Sequence, residues 1–164
     1  ALKGMQNAIP DPGALTRDKI SENGKTIFFY NVFAANDPES SKQIWHMITD
    51  HLNLAEKIVI LNGRSDRYFR SVQLADVCAQ IDFDHLFLTG ERTEKLESYV
   101  YSLKIPKEKV FRIGEISPKT VYEKILEITK KEAHVVGIGN IAGKNNYGNQ
   151  IVEFFNYKSK GGKQ

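Results

Sequence analysis

The run Asn31-Val-Phe-Ala-Ala-Asn36-Asp37-Pro38-Glu39-Ser40-Ser41 decides the fold, because within it an apolar strand ends in polar residues and a helix begins at a proline. Asp37 suits the N-cap: its side-chain oxygen can accept from the free N–H groups of the first turn. Pro38 suits the first helical position, having no N–H to leave unpaired. An acid there also complements the positive end of the helix. Such a junction serves as a well-capped helix start and as a place where a ligand can be held.

Outward from this junction, strand and helix patterns alternate. Residues 26–33, 57–62, 85–89, 109–113 and 134–139 are short β-branched or aromatic runs, most with apolar residues on both parities, as expected of strands covered on both faces. Between them Ile44, Ile48 and Leu52 recur every four residues, Leu96, Val100 and Leu103 nearly so, and Val121, Ile125 and Ile128 likewise. Ser117-Pro118 repeats the cap-then-proline start. This alternation predicts right-handed βαβ units and hence an α/β, Rossmann-like, three-layer domain with a mainly parallel sheet of five to six strands. The domain is expected over 26–157. Residues 1–25, with Pro10, Pro12, Gly13 and a turn at Asn23-Gly24, read as an irregular lead-in with room for one hairpin, and 158–164 as a polar, flexible tail.

Composition bounds the function. With 164 residues and 41% hydrophobic content the chain has room for one real core. A net charge of +3 permits phosphate ligands but lacks the dense Lys/Arg stripe of a nucleic-acid binder, so no nucleic-acid partner is expected. The single cysteine, Cys78, cannot form an internal disulfide and lies among apolar residues; a reducing, cytoplasmic compartment follows. No apolar run approaches the ~18 residues of a membrane span, and the first residues carry no signal-peptide pattern, so the chain reads as soluble by itself. His46, His51, His85 and His134 lie apart without metal-type spacing and read as structural or surface residues, and Trp45 with Met47 as packing on a helix flank. There is no G-x-S-x-G elbow, no H-E-x-x-H and no G-x-x-x-x-G-K-[ST] phosphate loop.

In an open parallel sheet, ligands bind beyond the carboxyl ends of the strands. Asn31 and Asn36 follow the first predicted strand, Asn62 to Arg67 the second, Thr89 to Arg92 the third and Gly137 to Gly143 the last, so they should converge on one edge. Asn36 offers both donor and acceptor, suiting a ribose, a base edge or a phosphate oxygen. Arg64, Arg67 and Arg92 carry planar forks that grip phosphate or carboxylate, with Asp66 available to orient one of them; Arg70 reads as part of a solvated, salt-bridged surface. Gly137, Gly139 and Gly143 let backbone approach a ligand, although no complete G-x-G-x-x-G is present.

Several of these stretches carry a family resemblance. YNVFAANDPES resembles the strand-to-helix signature D-x-Y-x-A-[HN]-N-P-x-S of the C-terminal domain of Mur-type ATP-dependent amide ligases. Leu61-Asn-Gly63-Arg64-Ser-Asp66-Arg67 resembles their glycine and Asp-Arg loop, and Leu88-Thr-Gly-Glu-Arg92-Thr-Glu94 their T-S-D-N-P-R-T-E loop. Val135-Val-Gly137-Ile-Gly139-Asn140-Ile-Ala-Gly143 stands where they have A-G-K-G-H-E. With the opening Ala1-Leu-Lys-Gly-Met5 and Ala8 to Leu15, the resemblance within that family is to the ligase subunit of poly-γ-glutamate synthase (PgsB/CapB type), and it covers about 1–157. Asn31 departs from the aspartate of many relatives, and Gly139-Asn140 from the lysine and His-Glu pair.

The resemblance implies the C-terminal domain of a ligase that activates a glutamate γ-carboxylate with ATP as an acyl phosphate and lets the next glutamate's amino group attack, extending poly-γ-glutamate. ATP and Mg2+ would be held mainly by a central domain, and this chain by itself should be inactive. Nucleotide or phosphate contacts are implied for Asn31, Asn36, Asp37, Asn62, Arg64, Asp66 and Arg67, and substrate contacts for Thr89, Arg92, Gly137, Gly139 and Asn140. The implied partners are the N-terminal and central ligase domains, the membrane subunits of a polyglutamate synthase complex, glutamate and its polymer, with the assembly at the inner face of the membrane. Two other classes remain. A stand-alone nucleotide-binding or interaction module shares the expected fold. A receiver domain needs an aspartate after the third strand and a lysine after the last, where this chain has Thr89-Gly90 and Gly139-Asn140.

Overall fold

A computed structural model describes residues 15–33, 35, 37–142 and 145–162. Asn36, Gly143, most of the opening segment and the last two residues lie outside the described residues.

Six strands form one sheet in the order β1-β2-β6-β3-β4-β5. They are β1 (Thr16–Glu22), β2 (Lys25–Asn31), β3 (Glu56–Gly63), β4 (His85–Gly90), β5 (Val110–Gly114) and β6 (Glu132–Gly139). All neighbours are parallel except β1, which runs antiparallel to β2 with Thr16 opposite Asn31 and Glu22 opposite Lys25. The hairpin turns at Asn23 and Gly24, both at positive φ (54° and 74°), the pairing that a two-residue turn matched to the strand twist requires. Thr16–Glu22, which the sequence puts in an irregular lead-in, is thus the outer strand of the sheet. Its signal is faint because Ile20 is its one apolar residue, and the other buried position is Asp18, which accepts from Asn156 Nδ2 at 3.1 Å.

Among the described residues five α-helices cover the sheet: α1 (Pro38–Thr49), α2 (Tyr68–Cys78), α3 (Thr93–Ser102), α4 (Pro118–Ile128) and α5 (Tyr147–Ser159). α1, α2 and α3 pack Ile44, Trp45, Ile48, Leu74, Cys78, Leu96 and Val100 onto one face, against Val59, Leu61, Leu86, Leu88, Val136 and Ile138. On the other face α4 and α5 pack Val121, Ile125, Ile151 and Phe155 against Ile27, Phe29, Ile58, Ile60, Phe87 and Val135. The two parities of one strand therefore feed two cores, which is why the strands read as continuous apolar runs. Burying each Val or Ile stabilises by about 1.5–3 kcal/mol. Helix α1 stops at Thr49, so Leu52 lies beyond it, and α5 continues to Ser159, into the segment expected as tail. The Cys78 thiol is buried and pushed up to about 12, inert as packing.

Both proline starts form as the sequence implies. Asp37 Oδ1 accepts the Ser40 N–H at 2.8 Å and Ser117 Oγ accepts the Lys119 N–H at 3.2 Å. The Ser40 hydrogen bond holds the Asp37 carboxyl below the usual carboxylate range. Asp37→Ala is expected to lower the unfolding free energy by about 1 kcal/mol at neutral pH. Because the folded-state pKa is depressed, this stabilisation is present above the unfolded-state value and is lost as pH falls through the folded one. In urea melts the gap between wild type and variant should close below about pH 4, and a gap independent of pH contradicts the cap.

Candidate functional site

Strand β6 sits between β2 and β3, and the chain leaves these three neighbours toward opposite faces: β2 and β3 lead to α1 and α2, β6 to α5. That divergence opens a crevice at the carboxyl edge, the position where doubly wound sheets bind ligands. An asparagine stands at the end of each: Asn31 closes β2, Asn62 lies next to last in β3, and Asn140 follows β6. Asn31 pairs with Gly137 and Asn62 with Gly139, so Asn31 lies across β6 and two residues lower.

Each has a different local fate. Asn31 Oδ1 accepts the Phe33 N–H at 3.2 Å, which turns the chain toward α1. Asn62 is spent inside the fold: Oδ1 accepts the Thr89 hydroxyl at 2.9 Å and Nδ2 donates to the Asn140 carbonyl at 2.5 Å. The Asn140 side chain is buried with Nδ2 unpartnered. Ser71 Oγ, beneath the Gly63 turn in α2, is likewise buried without a partner; Glu56 Oε2 and His85 Nδ1 are such groups at the other end of the sheet.

The glycines divide too. Gly137 makes room for the Phe33 ring, into which a Cβ would run, so its smallness serves packing within β6. Gly139, at φ 106°, and Gly90, at φ 86°, flank Asn62, and a Cβ on either would run into the backbone of β3. Gly148, in the first turn of α5, touches the Ile141 carbonyl in the same way and closes the loop after β6; nothing in the sequence beyond its being glycine signals this.

The charged loops converge beside the crevice. Arg64 binds Asp66 with a planar fork, Nε to Oδ1 at 2.6 Å and Nη2 to Oδ2 at 3.0 Å, and this hydrogen bond holds the Asp66 carboxyl below its ordinary range. Asp66 thus orients Arg64, as the sequence suggests, while its own oxygens are engaged. Arg67 follows in the same exposed turn, its N–H donating to the Arg64 carbonyl. From the β4 loop, Glu91 Oε1 accepts the Ser65 N–H at 2.6 Å, joining the two loops. Arg92 stands in the left-handed region, φ 57°, directly before α3. Its charge opposes the upward push that burial gives the Tyr68 phenol, and Lys95 Nζ lies 4.7 Å from the Tyr68 ring centroid. Phe69, 72% exposed, stands beside this group and was not singled out by the sequence.

So the structure brings Arg64, Asp66, Arg67 and Arg92 into one group, and Asn62, Thr89, Gly139 and Asn140 into an adjoining one. Asp37 is committed to its cap, and Asn36 is outside the described residues. Among the described residues no three His, Cys, Asp or Glu side chains could hold a metal ion together. His46 pairs with Asp50 at 2.9 Å, and His134 lies between the Tyr30 hydroxyl and Glu132, both at 2.8 Å. A groove of about 570 Å³ lined by His51 to Ala55 and Lys130 to Glu132 lies at the opposite, amino edge, away from these groups.

Residues 18–157 match the family described as the poly-gamma-glutamate synthase CapB C-terminal domain. The capsule biosynthesis protein CapB of Bacillus anthracis is 37% identical over 146 residues, which are 87% of this chain and 31% of that protein. The PGA synthase CapB of Bacillus subtilis (strain 168) is 37% identical over 148 residues, 87% of this chain and 37% of that protein. The chain therefore spans about a third of the length of these relatives. In fold it is similar to MurF ligase from Thermotoga maritima in complex with ADP, with a TM-score of 0.54 at 10% identity over 87% of this chain and 30% of that one. It is also similar to folylpolyglutamate synthase from Thermotoga maritima, with a TM-score of 0.54 at 14% identity over 87% and 32%.

The glycine flanks of Asn62 give a direct test. Gly139→Ala combines a left-handed backbone with a collision and should cost about 3 kcal/mol or more, whereas Gly24→Ala, at φ 74° with nothing within 4 Å, should cost about 1 kcal/mol. Equal losses in urea unfolding would contradict the close approach.

Proposed function

The chain belongs to the poly-gamma-glutamate synthase CapB C-terminal domain family, and on that premise we propose that it is the closing domain of an ATP-dependent ligase that joins glutamates through γ-amide bonds. The supporting observation is the grouping of Arg64, Arg67 and Arg92 beside the carboxyl-edge crevice, in a family whose relatives include a PGA synthase. Three guanidinium forks on one rim suit a reaction whose participants are phosphates and carboxylates.

In this reading a central domain binds ATP, and the γ-carboxylate of the growing chain attacks the γ-phosphorus. ADP leaves and an acyl phosphate remains. The amino group of the incoming glutamate attacks the acyl carbon, phosphate leaves, and the nitrogen loses a proton. Closure of this domain excludes water, which would hydrolyse the acyl phosphate. Arg64, held by Asp66, and Arg67 face the transferred phosphoryl group; Arg92 faces the acceptor's α-carboxylate. Magnesium would be held mainly by the central domain and would supply charge neutralisation to the phosphates.

We further propose that the assembled ligase works at the inner face of the membrane through membrane subunits. No helix among the described residues is long and apolar enough to cross a membrane.

The test uses the complete ligase that contains this domain. Arg64→Ala, Arg67→Ala and Arg92→Ala should each cost mainly the chemical step, roughly 30- to 150-fold in glutamate-dependent phosphate release, from loss of one charge-assisted contact. Equilibrium ATP binding should stay nearly intact, and lysine should rescue poorly. Full activity in all three alanine variants leaves these arginines as a solvated surface loop.

A further inference from the structure

Asn62 is 1% exposed, and both polar groups of its side chain are engaged within the fold. Oδ1 takes the Thr89 hydroxyl from β4 at 2.9 Å, and Nδ2 donates across to the carbonyl of Asn140, beyond β6, at 2.5 Å. The main-chain carbonyl of Asn62 also accepts the Asn140 N–H at 3.0 Å. One residue thus holds both the N–H and the C=O of Asn140. Two glycines make this approach possible: a Cβ on Gly139 would run into the Asn62 carbonyl oxygen, and one on Gly90 would lie 2.7 Å from Asn62 Oδ1.

The residue held so tightly has a side chain with nothing to bind. Asn140 is 5% exposed, and its Nδ2 donor has no hydrogen-bond partner. A buried amide donor left unpaired opposes folding, and such a group calls for a missing acceptor. It stands at the end of β6, the strand that forms the crevice, beside a rim carrying Arg64, Arg67 and Arg92.

We propose that Asn62 is a positioning residue for Asn140, locking its peptide between β3 and β6 so that Asn140 Nδ2 donates to a carboxylate or phosphate oxygen of the ligand bound at the carboxyl edge. This rests on the ligase reading above and adds to it a specific donor and the residue that aims it.

The test is a double-mutant cycle in the complete ligase, with ATP and glutamate as substrates and thermal unfolding measured beside kcat and KM. Asn140→Ala should lower kcat/KM about 10- to 100-fold, the range for a hydrogen bond to a charged group, without lowering the unfolding midpoint, because it removes an unpaired amide. Asn140→Asp, of the same shape, should lose at least as much by placing an anion against an anion. Asn62→Ala should lose a similar factor and unfold earlier. Asn62→Asp, which keeps the acceptor for Thr89 and drops the donor to Asn140, covers the case in which the alanine variant does not fold. Combined with Asn140→Ala, either Asn62 variant should add little further kinetic loss. Unchanged kinetics in Asn140→Ala overturn the ligand contact, and single losses that multiply in the double variant overturn the positioning role. If Asn140→Ala is unchanged while the arginine variants lose activity, this inference alone fails; if all are unchanged, the carboxyl-edge reading fails with it.

Discussion

The burial of β6 on both faces, between β2 and β3, is the constraint from which the rest of the architecture follows. Ala133, Val135, Val136 and Ile138 alternate between the two cores, so the strand needs helices above and below it. α1 to α3 supply one layer and α4 and α5 the other, and the crossing from one layer to the other happens between β5 and β6. That crossing makes the chain leave adjacent strand ends in opposite directions, and the crevice is its geometric consequence. The parallel ladder then sets which residues share the crevice, because the pairing of Asn62 with Gly139 and of Asn31 with Gly137 fixes their heights.

Several residues at this edge have unusual backbone conformations. Gly90, Arg92, Gly139 and Asn146 all have positive φ in the connections that leave β4 and β6 or at the helix starts they feed. Arg92 and Asn146 adopt it without being glycine, which favours asparagine modestly and arginine hardly at all. Two buried polar atoms lie unpaired here as well. The arginine pair Arg64 and Arg92 belongs to the same picture. One is aimed by Asp66 and the other stands on an unusual backbone.

The α/β alternation was legible because a parallel strand must be apolar on both parities, and 57–62 and 134–139 declare this within two residues of the observed ends. β1 was not, since its partner is supplied by a hairpin and one isoleucine carries its apolar signal. α2 and α5 were also faint: Ser71 and Gly148 occupy buried helical positions where periodicity looks for an aliphatic side chain. Which residues gather at the carboxyl edge could be read, because strand ends are marked by asparagine, glycine and arginine. The division of labour within it could not. Whether Asn62 faces a ligand or a neighbouring strand depends on Thr89 and Asn140, 27 and 78 residues away in sequence.

The central claim is that the carboxyl edge of this sheet is the side that meets nucleotide and glutamate. Hydrogen exchange measured by mass spectrometry on the complete ligase, with and without a non-hydrolysable ATP analogue and glutamate, tests it most directly. The account predicts ligand-dependent protection in the segments after β3, β4 and β6, around Gly63 to Arg67, Gly90 to Arg92 and Asn140 to Ala142, with little change at the amino edge around Leu54, which is 97% exposed, and Lys130 to Glu132. Protection confined to the amino edge, with the carboxyl-edge loops exchanging as in the free enzyme, would contradict it.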